Sequence, residues 1–204
     1  MATLYIVRHG ETEWNAAGRI QGHTDVALSE KGRRQAGTLA QRLAEVPFHA
    51  AYASDLRRAS ETAQIILDQR DIPLVTTPQL REYHKGVFEG LTNAEIERRY
   101  PEQFAASVVN DLDFAPRGGE SIRQTTSRLA AFVAGLRERH PEDNLLVVGH
   151  GGSLRSAVVA LLELPLEANW KFVMGNCALS IVETYPDNAV LRLYNDRSHL
   201  DALR

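Results

Sequence analysis

Apolar residues fall into short unbroken runs separated by segments of helical period, and the two kinds alternate along the chain. Residues 3–7 (Thr-Leu-Tyr-Ile-Val) read as a buried strand. Residues 10–28 show no period and form a long, polar, glycine-punctuated loop, a length that is uncommon without a function. Ser29 caps a helix over 30–43, whose Ala36, Leu39, Ala40 and Leu43 recur every three or four positions. A short strand is expected over 49–53. A helix follows over 56–67, with Ala59, Ala63, Ile66 and Leu67 on one face, and then a strand over 73–76. Thr92 followed by Glu95 starts a short helix, and Pro101 opens another. Residues 110–119 are turn-rich. The spacing of Ile122, Leu129, Phe132, Val133 and Leu136 predicts an amphipathic helix over 121–139. A continuous strand over 144–148 and a helix over 153–162 come next. Two late strands, 178–184 and 190–194, flank a Pro186-Asp187-Asn188 turn.

This alternation predicts an α/β fold: a three-layer α/β/α sandwich whose central sheet is mostly parallel, with helices on both faces. Residues 85–119 read as a small helical cap inserted over the sheet edge. No linker-like composition divides the chain, so a single domain over 1–204 is expected.

Composition narrows the function classes. The chain has 23 Lys and Arg against 26 Asp and Glu, a net charge of -3 that argues against wrapping nucleic acid. One cysteine, Cys177, can form neither an internal disulfide nor a cysteine-based zinc site. No apolar stretch is long enough to span a bilayer, and strand-like sequence begins at Thr3, so no membrane association and a cytoplasmic setting are expected. Exposed sheet edges leave a homodimer open.

The chemistry gathers at two strand ends. The first strand runs directly into Arg8-His9-Gly10, and the strand over 144–148 into Gly149-His150-Gly151-Gly152. Ligands bind at such carboxyl ends in α/β sheets. A phosphate monoester needs fixed positive groups and amide donors. Arg8 and Arg58 offer donor forks suited to phosphoryl oxygens. Gly10 and Gly151-Gly152 permit close backbone approach, and the helix beginning near Gly152 is expected to present free amides to the same place. A neutral His9, its other ring proton held by a backbone carbonyl, can attack phosphorus. His150 can donate to an equatorial oxygen as charge shifts. Glu82 can protonate the leaving alkoxide, provided burial or the nearby phosphate raises its pKa.

In combination these residues are similar to the signature of the histidine phosphatase superfamily, the phosphoglycerate mutase-like proteins. The Val7-Arg8-His9-Gly10-Glu11-Thr12 run carries the resemblance. So do Asn15, residues 18–22, 28–32 and 54–59, Glu82, residues 118–121 and residues 149–152, all in the family's order. The resemblance implies that His9 forms a phosphohistidine. It implies that Arg8, Arg58 and His150 hold the phosphoryl group, and that Glu82 serves as proton donor and then as base. Asn15 and Gln21 would reach phosphate or substrate, and Thr12 would line the pocket wall. The family uses no metal for this chemistry, and neither metal nor other cofactor is expected here.

Only 35 residues lie between Glu82 and Gly118, which resembles the phosphatase branch rather than the cofactor-dependent mutases. The expected partner is a small-molecule phosphomonoester. The runs at 150–155 and 194–200 resemble small-molecule phosphatases, including those acting on α-ribazole 5'-phosphate. Tyr83, His84, Lys85 and Phe88 are candidates for the substrate side of the pocket, and Lys85 favours a second negative charge on the substrate. Phosphoglycerate mutase and a non-catalytic phospho-ligand binding protein stand as alternatives. A serine hydrolase does not, since Ser54 and Ser153 lack the nucleophile-elbow surroundings.

Overall fold

Alternation along strand β1 (Ala2–Arg8) sends Leu4 and Ile6 to one face of a six-stranded sheet and Tyr5 and Val7 to the other. The computed structural model describes residues 1–68 and 70–203, so Gln69 and Arg204 of the expected 1–204 span lie outside the described residues. The remaining strands are β2 (Ala50–Ser54), β3 (Leu74–Thr77), β4 (Asn144–Gly149), β5 (Leu179–Tyr185) and β6 (Asn188–Asp196), in the spatial order β3-β2-β4-β1-β5-β6. β3, β2, β4 and β1 run parallel. β5 is antiparallel to β1 and β6 antiparallel to β5, so β5 alone opposes the rest.

Helices α2 (Glu30–Arg42) and α3 (Arg57–Ile66) cover one face, where Leu39, Ala59, Ala63 and Ile66 pack on Val7, Leu146 and Val148. On the other face, α6 (Ile122–Arg139) and α7 (Gly151–Leu161) set Leu129, Phe132, Leu136, Leu154 and Val158 against Leu4, Ile6, Leu145 and Val147. Each central strand is apolar on both sides because both sides are covered, which is why β1 and β4 read as unbroken runs. The three-layer α/β/α sandwich is the architecture expected.

Several boundaries differ from the sequence reading. The 10–28 loop contains one helical turn, α1 (Glu13–Ala16), capped by Thr12 and too short to show a period. β2 lies one residue beyond the expected 49–53. β6 extends past both ends of 190–194, because its partly exposed positions carry little apolar signal. Helices α4 (Asn93–Arg99) and α5 (Pro101–Ser107) form in the 85–119 segment. Gly90 N donates to Ile20 O (2.8 Å) and Ile20 N to Leu91 O (3.0 Å), tying that segment to the loop after β1. Among the described residues no helix is long and apolar enough to cross a membrane.

Parallel pairing positions the chemistry. Arg8 is the register partner of Gly149, and His9 N donates to Gly149 O (2.9 Å). Two histidines 141 positions apart in sequence therefore leave adjacent strands side by side.

Candidate active site

His9 and His150 are both buried, with ring centroids 5.1 Å apart at an interplanar angle of 61°. His9 Nδ1 lies 2.7 Å from Gly10 O. A carbonyl only accepts, so the ring proton is on Nδ1 and the Nε2 lone pair is left available. Burial, reinforced by the charges of Arg8 and Arg58, drives the His9 pKa well below its ordinary value, so the ring is neutral. His150 has the opposite tautomer. Arg58 Nε donates to His150 Nδ1 (3.1 Å), which puts the ring proton on Nε2, and that buried atom has no hydrogen-bond partner. Burial, then Arg58, His9 and Arg8, hold His150 neutral as well.

Arg58 is fully buried. Its Nη1 and Nη2 donate to Thr24 O (2.8 Å) and Gly22 O (2.7 Å), which fixes the guanidinium plane while leaving N–H groups on both terminal nitrogens. Burial lowers its pKa to about 10, so it stays charged at neutral pH. Arg8 donates from Nη1 to Met174 O (2.6 Å), and its buried Nε has no partner. Together with His9, Asn15, Gln21 and Glu82, the two arginines line a cavity of about 190 Å³. An adjoining cavity of about 250 Å³ shares Arg8 and Glu82 and adds Gly151, Gly152 and Arg155. Larger grooves elsewhere, one of about 730 Å³ beside Arg137 and Tyr185, contain no histidine.

Glu82 corrects one expectation about the amides. Its Oε2 accepts from Gly152 N (2.9 Å), and its Oε1 from Ser153 N (2.8 Å) and Tyr83 N (3.0 Å). The first turn of α7 is thus already capped by a carboxylate, and those two amides are not free for a ligand. Burial pushes the Glu82 pKa up, but the amides of Gly152, Tyr83 and Ser153, together with Lys85, outweigh it. The net shift is downward, and Glu82 is ionised at rest. Burial by itself does not supply the protonated acid that the sequence reading required.

Other expectations are relocated. The Thr12 hydroxyl accepts from Asn15 N (3.1 Å) as the cap of α1 and is not part of the cavity wall. Asn15 Oδ1 in turn accepts from Thr12 N (3.1 Å). Gln21 is buried beside the arginines, and its Oε1 has no partner. His84 stacks edgewise on His23 (4.6 Å) outside the cavity, and its backbone N donates to Glu120 (3.0 Å). Gly151 lies against Arg8, where a β-carbon would sit 3.3 Å from Nε. The close approach at Gly10 is to the backbone of Gly32, 2.5 Å from a would-be β-carbon, and Gly10 N donates to Thr62 Oγ1. Tyr83, Lys85 and Phe88 line a third cavity of about 270 Å³ beneath α4 and α5, and Lys85 also faces His9.

Two contributors carried no signal in the sequence. Asn176 directs its amide at His9 O (3.2 Å), Gly10 O (3.3 Å) and Asn15 Oδ1 (3.2 Å), bracing the strand exit from the loop before β5. Glu89 accepts from His23 N, Thr24 N and Thr24 Oγ1, and so holds the turn whose carbonyls clamp Arg58. Both are isolated polar residues in irregular segments, where neither period nor motif marks them. Among the described residues no group of three or more His, Cys, Asp or Glu is placed to hold a metal ion.

The family model described as histidine phosphatase superfamily (branch 1) matches residues 4–197. The chain is 34% identical over 195 residues to the adenosylcobalamin/α-ribazole phosphatase of Salmonella typhimurium, covering 96% of each chain. It is 32% identical over 200 residues to phosphoserine phosphatase 1 of Hydrogenobacter thermophilus, covering 98% of this chain and 95% of that one. The solved structure of Bacillus stearothermophilus YhfR superposes with a TM-score of 0.91 at 35% identity, covering 98% of this chain and all of that one.

Proposed function

Because this chain belongs to the histidine phosphatase superfamily (branch 1), a hydrolase acting on small phosphorylated metabolites, we propose that it does so through a phosphohistidine on His9. The observation that carries this reading is the Nε2 lone pair of a neutral, tautomer-locked His9 beside two partly unpaired guanidinium groups in one small cavity. In the first step an Nε2–phosphorus bond forms, the bond from phosphorus to the ester oxygen breaks, and a proton brought in by the monoanionic ester passes through Glu82 to the leaving oxygen. In the second, water attacks phosphorus, gives its proton to Glu82, and the P–N bond breaks. Arg8, Arg58 and His150 Nε2–H bear the charge on the equatorial oxygens. Asn15 and Gln21 contact the phosphoryl group or the alcohol beside it. Residues 85–119 act as the cap.

No step calls for a metal, so turnover should persist in EDTA. α-Ribazole 5'-phosphate belongs on the substrate panel because a relative is named for it, and phosphoserine for the same reason. Lys85, facing both the phosphate cavity and the cap cavity, supports a leaving group with its own negative charge. The deciding experiment is phosphate release from p-nitrophenyl phosphate and this panel in EDTA, with acid-labile labelling of the protein followed in parallel. His9→Ala should lose turnover and label together, and full turnover in that variant would defeat the nucleophile assignment. A phosphoglycerate mutase would need 2,3-bisphosphoglycerate to begin and would release little phosphate. A binding protein would release none.

A further inference from the structure

We infer that Arg155 is a specificity-determining residue: together with Lys85, it receives a carboxylate carried by the alcohol half of the substrate. The inference rests on the phosphatase reading above and concerns the side of the site that faces away from phosphorus.

Arg155 lies on α7 three and four positions after Gly152 and Gly151, so it rises from the helix face that borders Glu82. It lines both the cavity beside Arg8 and the cap cavity. One terminal nitrogen donates to Phe172 O (3.1 Å), which holds the guanidinium in place. Its Nε is buried and has no acceptor. Lys85 shares the cap cavity with Arg155. It lines the cap cavity and the cavity of His9, and its ammonium rests over the Tyr83 ring at 4.7 Å. Among the described residues neither cation is in a salt bridge. Of the two carboxylates lining the cap cavity, Glu120 is already taken by Arg128 (3.0 Å) and by His84 N (3.0 Å), and Asp111 accepts from Asp113 N (2.8 Å).

The site thus gathers Arg8, Arg58, Lys85 and Arg155 around Glu82, a carboxylate that already accepts from the amides of Gly152, Ser153 and Tyr83. A phosphoryl dianion answers Arg8 and Arg58. Lys85 and Arg155 remain on the leaving-group side, two cations facing the single negative charge of Glu82, which must itself take part in the proton transfer. A carboxylate a few bonds from the ester oxygen satisfies Arg155 Nε and Lys85 at once. Arginine suits this role because its fork matches carboxylate geometry.

The test compares O-phospho-L-serine with O-phosphoethanolamine, which differ only in the carboxylate, on the wild-type protein and on Arg155→Gln and Arg155→Lys. Wild type should favour phosphoserine by about tenfold or more in kcat/KM, the worth of one charge-assisted contact. Arg155→Gln should erase most of that ratio by raising KM for phosphoserine, with phosphoethanolamine changed by no more than about twofold. Arg155→Lys should restore part of the preference. Equal losses on both substrates, or an unchanged ratio, would overturn the assignment. Wild-type turnover of p-nitrophenyl phosphate without any preference for the carboxylated substrate also overturns it while leaving the phosphatase reading intact. Absence of turnover on every phosphomonoester sinks both.

Discussion

Arg58 Nε donates to His150 Nδ1 across 3.1 Å, and that bond decides which nitrogen of the second histidine carries a proton. Since guanidinium cannot accept, Nδ1 must, and Nε2 is left as a donor. Arg58 therefore has two functions in one side chain: it offers N–H groups to the phosphoryl oxygens and sets the tautomer of its neighbour. Arg58→Lys keeps the positive charge but cannot reproduce the fork that reaches His150, Gly22 O and Thr24 O together. Turnover of p-nitrophenyl phosphate by this variant should fall by about 10²–10³, the usual cost of losing a transition-state donor. The ring nitrogen chemical shifts of His150 should report a changed tautomer. A loss below about threefold, with the tautomer unchanged, would count against both functions.

Gly152 faces the Glu82 carboxylate so closely that a β-carbon would stand 2.5 Å from Oε1. Gly152→Ala must move the carboxylate off the start of α7 while Arg8 and Arg58 stay in place. Its expected signature is a kcat loss of about tenfold or more on alkyl phosphates, a smaller loss on p-nitrophenyl phosphate, and unchanged inhibition by inorganic phosphate. Glu82→Gln should follow the same leaving-group trend. Weakened phosphate inhibition in Gly152→Ala would show that the glycine serves the anion site instead.

These particulars mark how far the chain could be read unaided. β1 and β4 announce themselves because strands covered on both faces are apolar throughout, and their exits concentrate Arg8, His9 and His150 into recognisable runs. Glu82 was legible as a candidate but not as a carboxylate already capping α7, since that depends on a helix seventy residues downstream. The placement of His84 was hidden for a similar reason: its ring packs on His23, sixty-one positions earlier, and the two meet only in the folded chain. Asn176 and Glu89 act through several hydrogen bonds to residues distant in sequence, and such contacts leave no local pattern.

The two buried histidines make stability pH-dependent. Both are held below their ordinary pKa by burial first and by neighbouring cations second, whereas in the unfolded chain each titrates near 6.5. The unfolded state therefore binds more protons as pH falls through that value. Their contribution is complete above pH 6.5 and is lost progressively below it, by up to about 1.4 kcal/mol per pH unit for each ring. Urea midpoints should fall between pH 7 and pH 5, and a His9→Asn, His150→Asn double variant should show a shallower fall. His23 and His199, shifted in the same direction, remain in the variant and keep part of the slope. Parallel curves for the two proteins would mean that the rings are protonated in the native state.

Proton counting fixes the shape of the rate profile. Chemistry needs a neutral His9 and one proton shared between Glu82 and the phosphate ester. Glu82 is ionised in the free protein, because three backbone amides and Lys85 outweigh its burial. A phosphate monoester loses its second proton near pH 6. Free protein with ionised Glu82 plus a monoanionic ester has the same proton content as protonated Glu82 plus a dianionic ester, so either encounter is productive. Below about pH 6 the ester brings the proton with it, and kcat/KM should be level down toward the depressed pKa of Glu82. Above about pH 6 neither partner carries that proton, and kcat/KM should fall about tenfold per pH unit. His9, neutral throughout this range, adds no acid limb. Glu82→Gln should flatten the alkaline fall on p-nitrophenyl phosphate, whose leaving group needs little help, and should be nearly inactive on an alkyl phosphate at every pH. A wild-type profile that rises from pH 6 to pH 8 on an alkyl phosphate would rule out Glu82 as the proton donor.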